Sequence, residues 1–189
     1  MKREETRMIR LGATALGAVT IGCLAWPGLA QNAGEATFTR VSYPANFEKT
    51  FRRYDRVDKV ERKIVRDLYI NAEALAAVKP GEPFPEGTVL VMVNRTVALE
   101  AGGAPIKGPD GRLQPTQRVT LIEVMEKRAG WGETNLLPAD KDNGDWEYAS
   151  FKPDGTPNPI KLDGCYSCHL AQKSTDFTFS GGKIYDLKK

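Results

Sequence analysis

Two cysteines and the only histidine of this chain stand within five residues of one another, Cys165-Tyr166-Ser167-Cys168-His169, near the C-terminal end. Whatever the chain folds into must bring a partner to that cluster. The spacing is C-x-x-C-H, the attachment signature of a c-type haem. Two thiols one helical turn apart reach the two vinyl groups on one edge of a porphyrin and form thioethers. The imidazole that follows then lies beneath the iron as its proximal ligand. Its other ring nitrogen is expected to donate to a backbone carbonyl or a carboxylate, which fixes the ring's orientation. Cys165, Cys168 and His169 are therefore the candidate cofactor-binding residues, with His169 the metal ligand and haem c the cofactor.

Other uses of the cluster fit less well. A structural zinc site needs four Cys or His ligands, and the chain beyond its first thirty residues offers these three. A thioredoxin-like dithiol sits in a βαβ context, whereas a loop rich in Pro and Gly precedes Cys165.

A single histidine also excludes bis-histidine ligation within one subunit. The sixth position is then open, or taken by water, a lysine, a methionine or a small exogenous ligand. Past residue 30 the methionines are Met92 and Met125. Both fall in strand patterns, where methionine is commonly core filler, so an open iron is the better expectation.

The N-terminus bears on where such chemistry takes place. Residues 1–10 carry a basic excess, residues 11–26 are a continuous apolar run, and Gly28 and Ala30 follow. This is the pattern of a secretory signal cleaved after Ala30. The run is short of the ~20 residues a membrane-spanning helix needs. The expectation is a periplasmic protein comprising residues 31–189, with no membrane association after cleavage and with Cys23 removed. Over the whole chain 27 Lys and Arg face 24 Asp and Glu, a net charge of +3. The first thirty residues hold four of the bases and two of the acids, which leaves 23 against 22. That balance gives no footprint for nucleic acid or anionic lipid.

Along the rest of the chain, Phe47, Phe51, Tyr54 and Val57 recur at helical steps and predict a helix over Pro44–Asp58, with Ser42 or Pro44 at its start. Ile64–Ile70 reads as a strand, and Asn71 is placed to cap a short helix ending at Pro80-Gly81. Thr88–Leu99 is a strand with Val89, Val91 and Val93 on one face and Leu90, Met92 and Asn94 on the other. Residues 101–117 form a loop excursion with a turn at Asp110-Gly111. Arg118–Lys127 and Asp145–Phe151 are further strands, the second with Trp146, Tyr148 and Ser150 on one face. Residues 129–144 read as an irregular loop. The sum is one α+β domain, mainly an antiparallel β-sheet with flanking helices. Arg66, inside an otherwise apolar strand, is a candidate partner for a haem propionate. Trp146, Tyr148, Phe177 and Phe179 are expected to pack against the haem or the core.

Four segments in this order resemble the cytochrome P-460 family, which includes the cytochrome c-prime-beta proteins. They are LYINAEALAAV at 68–78, FPEGTVLVM at 84–92, GDWEYASF at 144–151 and CYSCHLAQKSTDFTF at 165–179. The resemblance spans 44–179 and implies a homodimer with one haem per subunit. Members of the family proper oxidise hydroxylamine with a lysine joined to the porphyrin rim. In this chain the corresponding strand position is Met92, and no lysine lies between Lys79 and Lys107. Since a thioether has no nucleophilic amine, the resemblance points first to a five-coordinate haem protein that binds NO or a similar small nitrogen ligand. The alternatives are a cross-linked hydroxylamine-oxidising enzyme, for which Lys63 is a second position to examine, and an electron carrier with Met92 or Met125 on the iron. A periplasmic electron-transfer protein is the expected macromolecular partner.

Overall fold

The computed structural model describes residues 39–134 and 137–188; the expected signal segment lies outside them. Among the described residues, five strands form one antiparallel sheet in sequence order: β1 (Arg52–Lys59), β2 (Ile64–Ile70), β3 (Val89–Val97), β4 (Pro115–Lys127) and β5 (Trp146–Phe151). Each strand pairs with the next: a four-residue turn joins β1 to β2, and longer excursions join the other neighbours. Helices flank the sheet: α1 (Phe47–Thr50), α2 (Ala72–Ala77), α3 (Trp131–Thr134), α4 (Asp163–Leu170) and α5 (Gly181–Asp186). The α+β reading from sequence holds. No helix among the described residues is long and apolar enough to cross a membrane.

Period-two alternation divides the sheet's side chains between two cores. On one face Tyr69, Val91, Val93, Ile122, Val124 and Phe151 pack with Val41 and Phe47. On the other, Ile70, Leu90, Met125, Trp146 and Tyr148 pack with Phe84, Leu162, Tyr166 and Ile184. The two faces assigned to β3 from sequence are the faces observed. The first face is closed further by Arg40, whose guanidinium and backbone N–H both bond the buried carboxylate of Glu147.

The helix expected over Pro44–Asp58 shrinks to the single turn of α1, and residues from Arg52 onward are strand. The apolar residues at helical spacing are shared between opposite faces of the sheet. Phe47 and Phe51 join the first core, whereas Tyr54 packs against the second. Three residues apart in extended chain, Phe51 and Tyr54 fall on opposite faces by alternation, and the register shift opposite β2 follows between Arg53 and Asp55. Neither Ser42 nor Pro44 caps α1; Asn46, in the left-handed region at φ 61°, precedes it. Asn71 does precede α2, but its side chain makes no cap bond to the helix backbone; it donates to the Glu73 carboxylate at 3.3 Å and reaches across to the chain around β3. Its Oδ1 accepts the Val89 N–H at 2.9 Å, and its Nδ2 donates to the Gly87 carbonyl at 3.1 Å.

The first three strands are held in register by one buried charge. Asp67 is 2% exposed and accepts from Arg56 at 2.7 Å, Arg95 at 3.3 Å and Arg53 at 3.5 Å. A buried carboxylate is tolerable only with such partners. Replacing Asp67 by Ala removes the shared acceptor but leaves guanidinium groups that can still reach water. The expected loss is about 2 kcal/mol, below that for stranding a fully buried ion. Urea unfolding of Asp67→Ala should show it as a lower midpoint with an unchanged slope.

Candidate functional site

The C-x-x-C-H cluster occupies α4. Leu162 leads into the helix, Asp163 lies in its first turn, where a carboxylate suits the positive end of the helix dipole, and Lys141 pairs with that carboxylate. Cys165, Cys168 and His169 stand at i, i+3 and i+4, so a helix necessarily presents them as neighbours. Tyr166, 2% exposed, points the other way into the core and meets Tyr148 edge-on at 4.8 Å. The site helix is thus anchored by the residue between the two cysteines. Both thiols are free. Cys168 is exposed, while Cys165 is half-buried against the core, and burial pushes its thiol up to about 11.

The geometry of His169 decides its chemistry. Its Nδ1 lies 2.7 Å from the carbonyl oxygen of Phe177. A carbonyl can only accept, so Nδ1 carries the proton and Nε2 keeps its lone pair for a metal. Burial lowers the pKa of the imidazole, against the smaller opposing effect of the Phe177 acceptor, and so favours the neutral ring. Tyr148 packs on the ring at 4.8 Å and Phe179 meets it edge-on at 5.1 Å.

That carbonyl is presented by a strap, residues 172–178, that turns back under α4. Asp176 and Phe177 are both in the left-handed region, at φ 50° and 59°. For residues other than glycine this costs roughly 1–2 kcal/mol each, so something must hold them there. Phe177 N–H bonds the Gln172 carbonyl at 2.8 Å, and Thr175 and Thr178 exchange hydroxyl-to-carbonyl bonds at 2.7 and 2.8 Å. The Asp176 carboxylate accepts from the Phe84 N–H and from Lys127 Nζ, each at 2.7 Å.

Beside α4 the second face of the sheet is left partly uncovered. Leu68, Met92, Glu123 and Ser150 form one row across four strands, and Arg66, Asn94 and Leu121 form the next. Leu68, Met92, Leu121, Arg66 and Glu123 are all half-buried. Arg66 Nε donates to Asn94 Oδ1 at 3.2 Å. Glu123 is a residue the sequence reading missed. Burial raises its pKa, partly offset by the charges of Arg66 and Arg62. Its signal was present in β4, where Leu121, Glu123 and Met125 share the inward phase and one of the three is an acid.

The other expected residues separate clearly. Met125 is 8% exposed and part of the core, whereas Met92 reaches the uncovered floor. Trp146, Tyr148 and Phe177 are buried, but Phe179 is 57% exposed despite its contact with His169. Lys63 lies in the turn between β1 and β2, and its Nζ bonds the Gly103 carbonyl at 2.8 Å. Lys127, in phase with Glu123 and Met125, is engaged by Asp176.

A family model described as cytochrome P460 matches residues 44–180, most of the chain, from α1 through the strap and short of α5. The chain belongs to the cytochrome P460 family. No curated protein matches it. The family implies a haem cofactor with its iron, and the donor set fits one. Two free thiols and an imidazole with Nε2 available share one helix face beside a half-open apolar floor that a flat ring can cover. Bound there, the haem supplies an iron centre for ligand or redox chemistry.

The Tyr148 hydroxyl accepts from Asn143 Nδ2 at 2.6 Å, while Asn143 Oδ1, also buried, has no partner among the described residues. Tyr148→Phe therefore strands the amide at both ends and should cost about 1–3 kcal/mol, read as a lower thermal midpoint. Haem attachment should survive, because Cys165, Cys168 and His169 are untouched.

Proposed function

We propose that this chain is an exported cytochrome that carries one haem c on Cys165 and Cys168. In this reading His169 is the proximal ligand, and the opposite side of the iron is left for a small nitrogen ligand such as NO. The observation that carries the proposal is the Nδ1 bond to Phe177, which commits the chain's only imidazole to offering Nε2. Bis-histidine coordination is excluded within one subunit, and Met125 is spent on the core. The apolar floor of Leu68, Met92 and Leu121 suits an uncharged ligand. Arg66, on the same face, is the proposed partner of a propionate. The apolar N-terminal run supports export to the periplasm, where covalent haem attachment takes place.

A second reading is favoured by one residue. Glu123 is a carboxylate whose pKa burial raises against the opposing charges of Arg66 and Arg62, set in that floor. Such a group can hand a proton to or take one from a bound substrate, which hydroxylamine oxidation needs. That reaction also needs an electron acceptor, here a periplasmic electron-transfer protein. The porphyrin-linked lysine of the family has no counterpart at Met92, so any such activity would proceed without a cross-link at that position.

The absorption spectrum of the reduced holoprotein, with and without NO, separates these readings. The expected result is an ordinary reduced Soret band, a mass increase of one haem, and a spectrum that changes on adding NO. A strongly red-shifted reduced Soret band would instead report the cross-linked enzyme. Met92→Ala and Met125→Ala should each leave the resting spin state unchanged; a switch from low to high spin in either would establish the electron carrier.

A further inference from the structure

The sequence carries Asp176 directly beside the residue that accepts the His169 hydrogen bond, and the haem chemistry above leaves it without a role. We propose that Asp176 and Lys127 form a positioning pair that sets the strength of the proximal ligand. This inference rests on His169 being the iron ligand.

Two bonds of equal length, 2.7 Å, converge on Asp176 Oδ2: one from the Phe84 backbone and one from Lys127 Nζ at the end of β4. Phe84 is itself immobilised, 3% exposed and in aromatic contact with Trp146 at 6.0 Å and Tyr185 at 6.5 Å. Asp176 thus ties the strap to the sheet at one point and to a rigid loop at another. The next residue, Phe177, is forced into the left-handed region with its carbonyl 2.7 Å from His169 Nδ1. Neither Asp176 nor Lys127 touches His169; they act through the carbonyl. A hydrogen bond from Nδ1 shifts electron density onto the imidazole and raises its basicity as a ligand. A more basic axial ligand favours ferric over ferrous iron and lowers the reduction potential. Releasing the strap lets Phe177 relax, lengthens the Nδ1 bond and weakens the donor.

The test uses haem-loaded protein and two readouts, the Fe–His stretching band of the reduced form by resonance Raman and the midpoint potential. Asp176→Ala should move the band to lower wavenumber and the potential upward. Lys127→Met, which keeps the carboxylate's bond to Phe84, should shift both in the same directions by less. Asp176→Asn should resemble Lys127→Met, and the double variant Lys127→Met with Asp176→Asn should add little to either, since both remove one ion pair. Val93→Ala, in the opposite core, should lower the thermal midpoint without moving band or potential. If Asp176→Ala is not recovered folded, Lys127→Met decides. Haem-loaded Lys127→Met with band and potential at wild-type values, shifts of opposite sign, or full additivity in the double variant would overturn the proposal. Absence of haem from the wild type as well would instead sink the haem reading on which the pair depends.

Discussion

The hydrogen bond from His169 Nδ1 to the Phe177 carbonyl sets which nitrogen of the chain's sole imidazole faces outward, and most of the C-terminal architecture exists to hold its two ends. The donor end comes from α4, fixed by Tyr166 in the core and by the Lys141–Asp163 pair near its start. The acceptor end comes from a strap bent through two left-handed residues, a conformation the chain does not adopt without external restraint. Behind the strap, α5 lies close: a side chain at Gly181 would meet Thr178 Oγ1 at 2.9 Å and the Phe84 ring at 3.4 Å. The glycine is thus required by the close approach of that helix to the strap's anchor.

The two faces of the sheet are treated unequally, and this inequality creates the site. One face is closed by α1, by the segment around Val41 and by the Arg40–Glu147 contact, and its residues are almost wholly buried. The other is closed only at the end where Ile70, Leu90, Met125 and Tyr148 meet α4. Beyond that row, Leu68, Met92 and Leu121 keep part of their apolar surface in water, and Phe179 more than half of its own. At about 25 cal/mol per Å² of apolar surface removed from water, a flat hydrophobic group laid there would stabilise the fold as well as gain a seat. Exposed apolar surface of this kind, next to thiols and an imidazole whose Nε2 keeps its lone pair, suits the haem the family implies.

Much of this was legible in the residues. β2 and the two faces of β3 follow from period-two alternation, because sheet pairing enforces the same period the sequence displays. The C-x-x-C-H helix is equally local, since its two thiols and imidazole are neighbours on any α-helix. β1 was misread because Phe47, Phe51, Tyr54 and Val57 fall at helical spacing by coincidence, and only pairing with β2 reveals that Phe51 and Tyr54 face different cores. The role of Asn71 was hidden for a similar reason: a residue suited to cap a helix found partners at Gly87 and at Val89, the first residue of β3. The strap could not be read at all. Its geometry depends on Phe84 and Lys127, which are 92 and 49 residues away from Asp176, and no local pattern encodes a contact at that range.

Two carboxylates of the sheet show how the same misplacement can have opposite meanings. Asp67 and Glu123 both occupy inward positions of strands, where an acid is costly. Asp67 is met by three guanidinium groups within bonding distance, so its charge is offset and its work is to fasten β1, β2 and β3. Glu123 feels Arg66 and Arg62 only through their charge, and among the described residues no hydrogen bond joins its carboxylate. Burial therefore prevails and its proton is held more tightly than usual. An inward acid with its partners supplied is part of the scaffold. One whose pKa burial raises, in a half-buried apolar floor near Cys165, is the kind of group that marks a site.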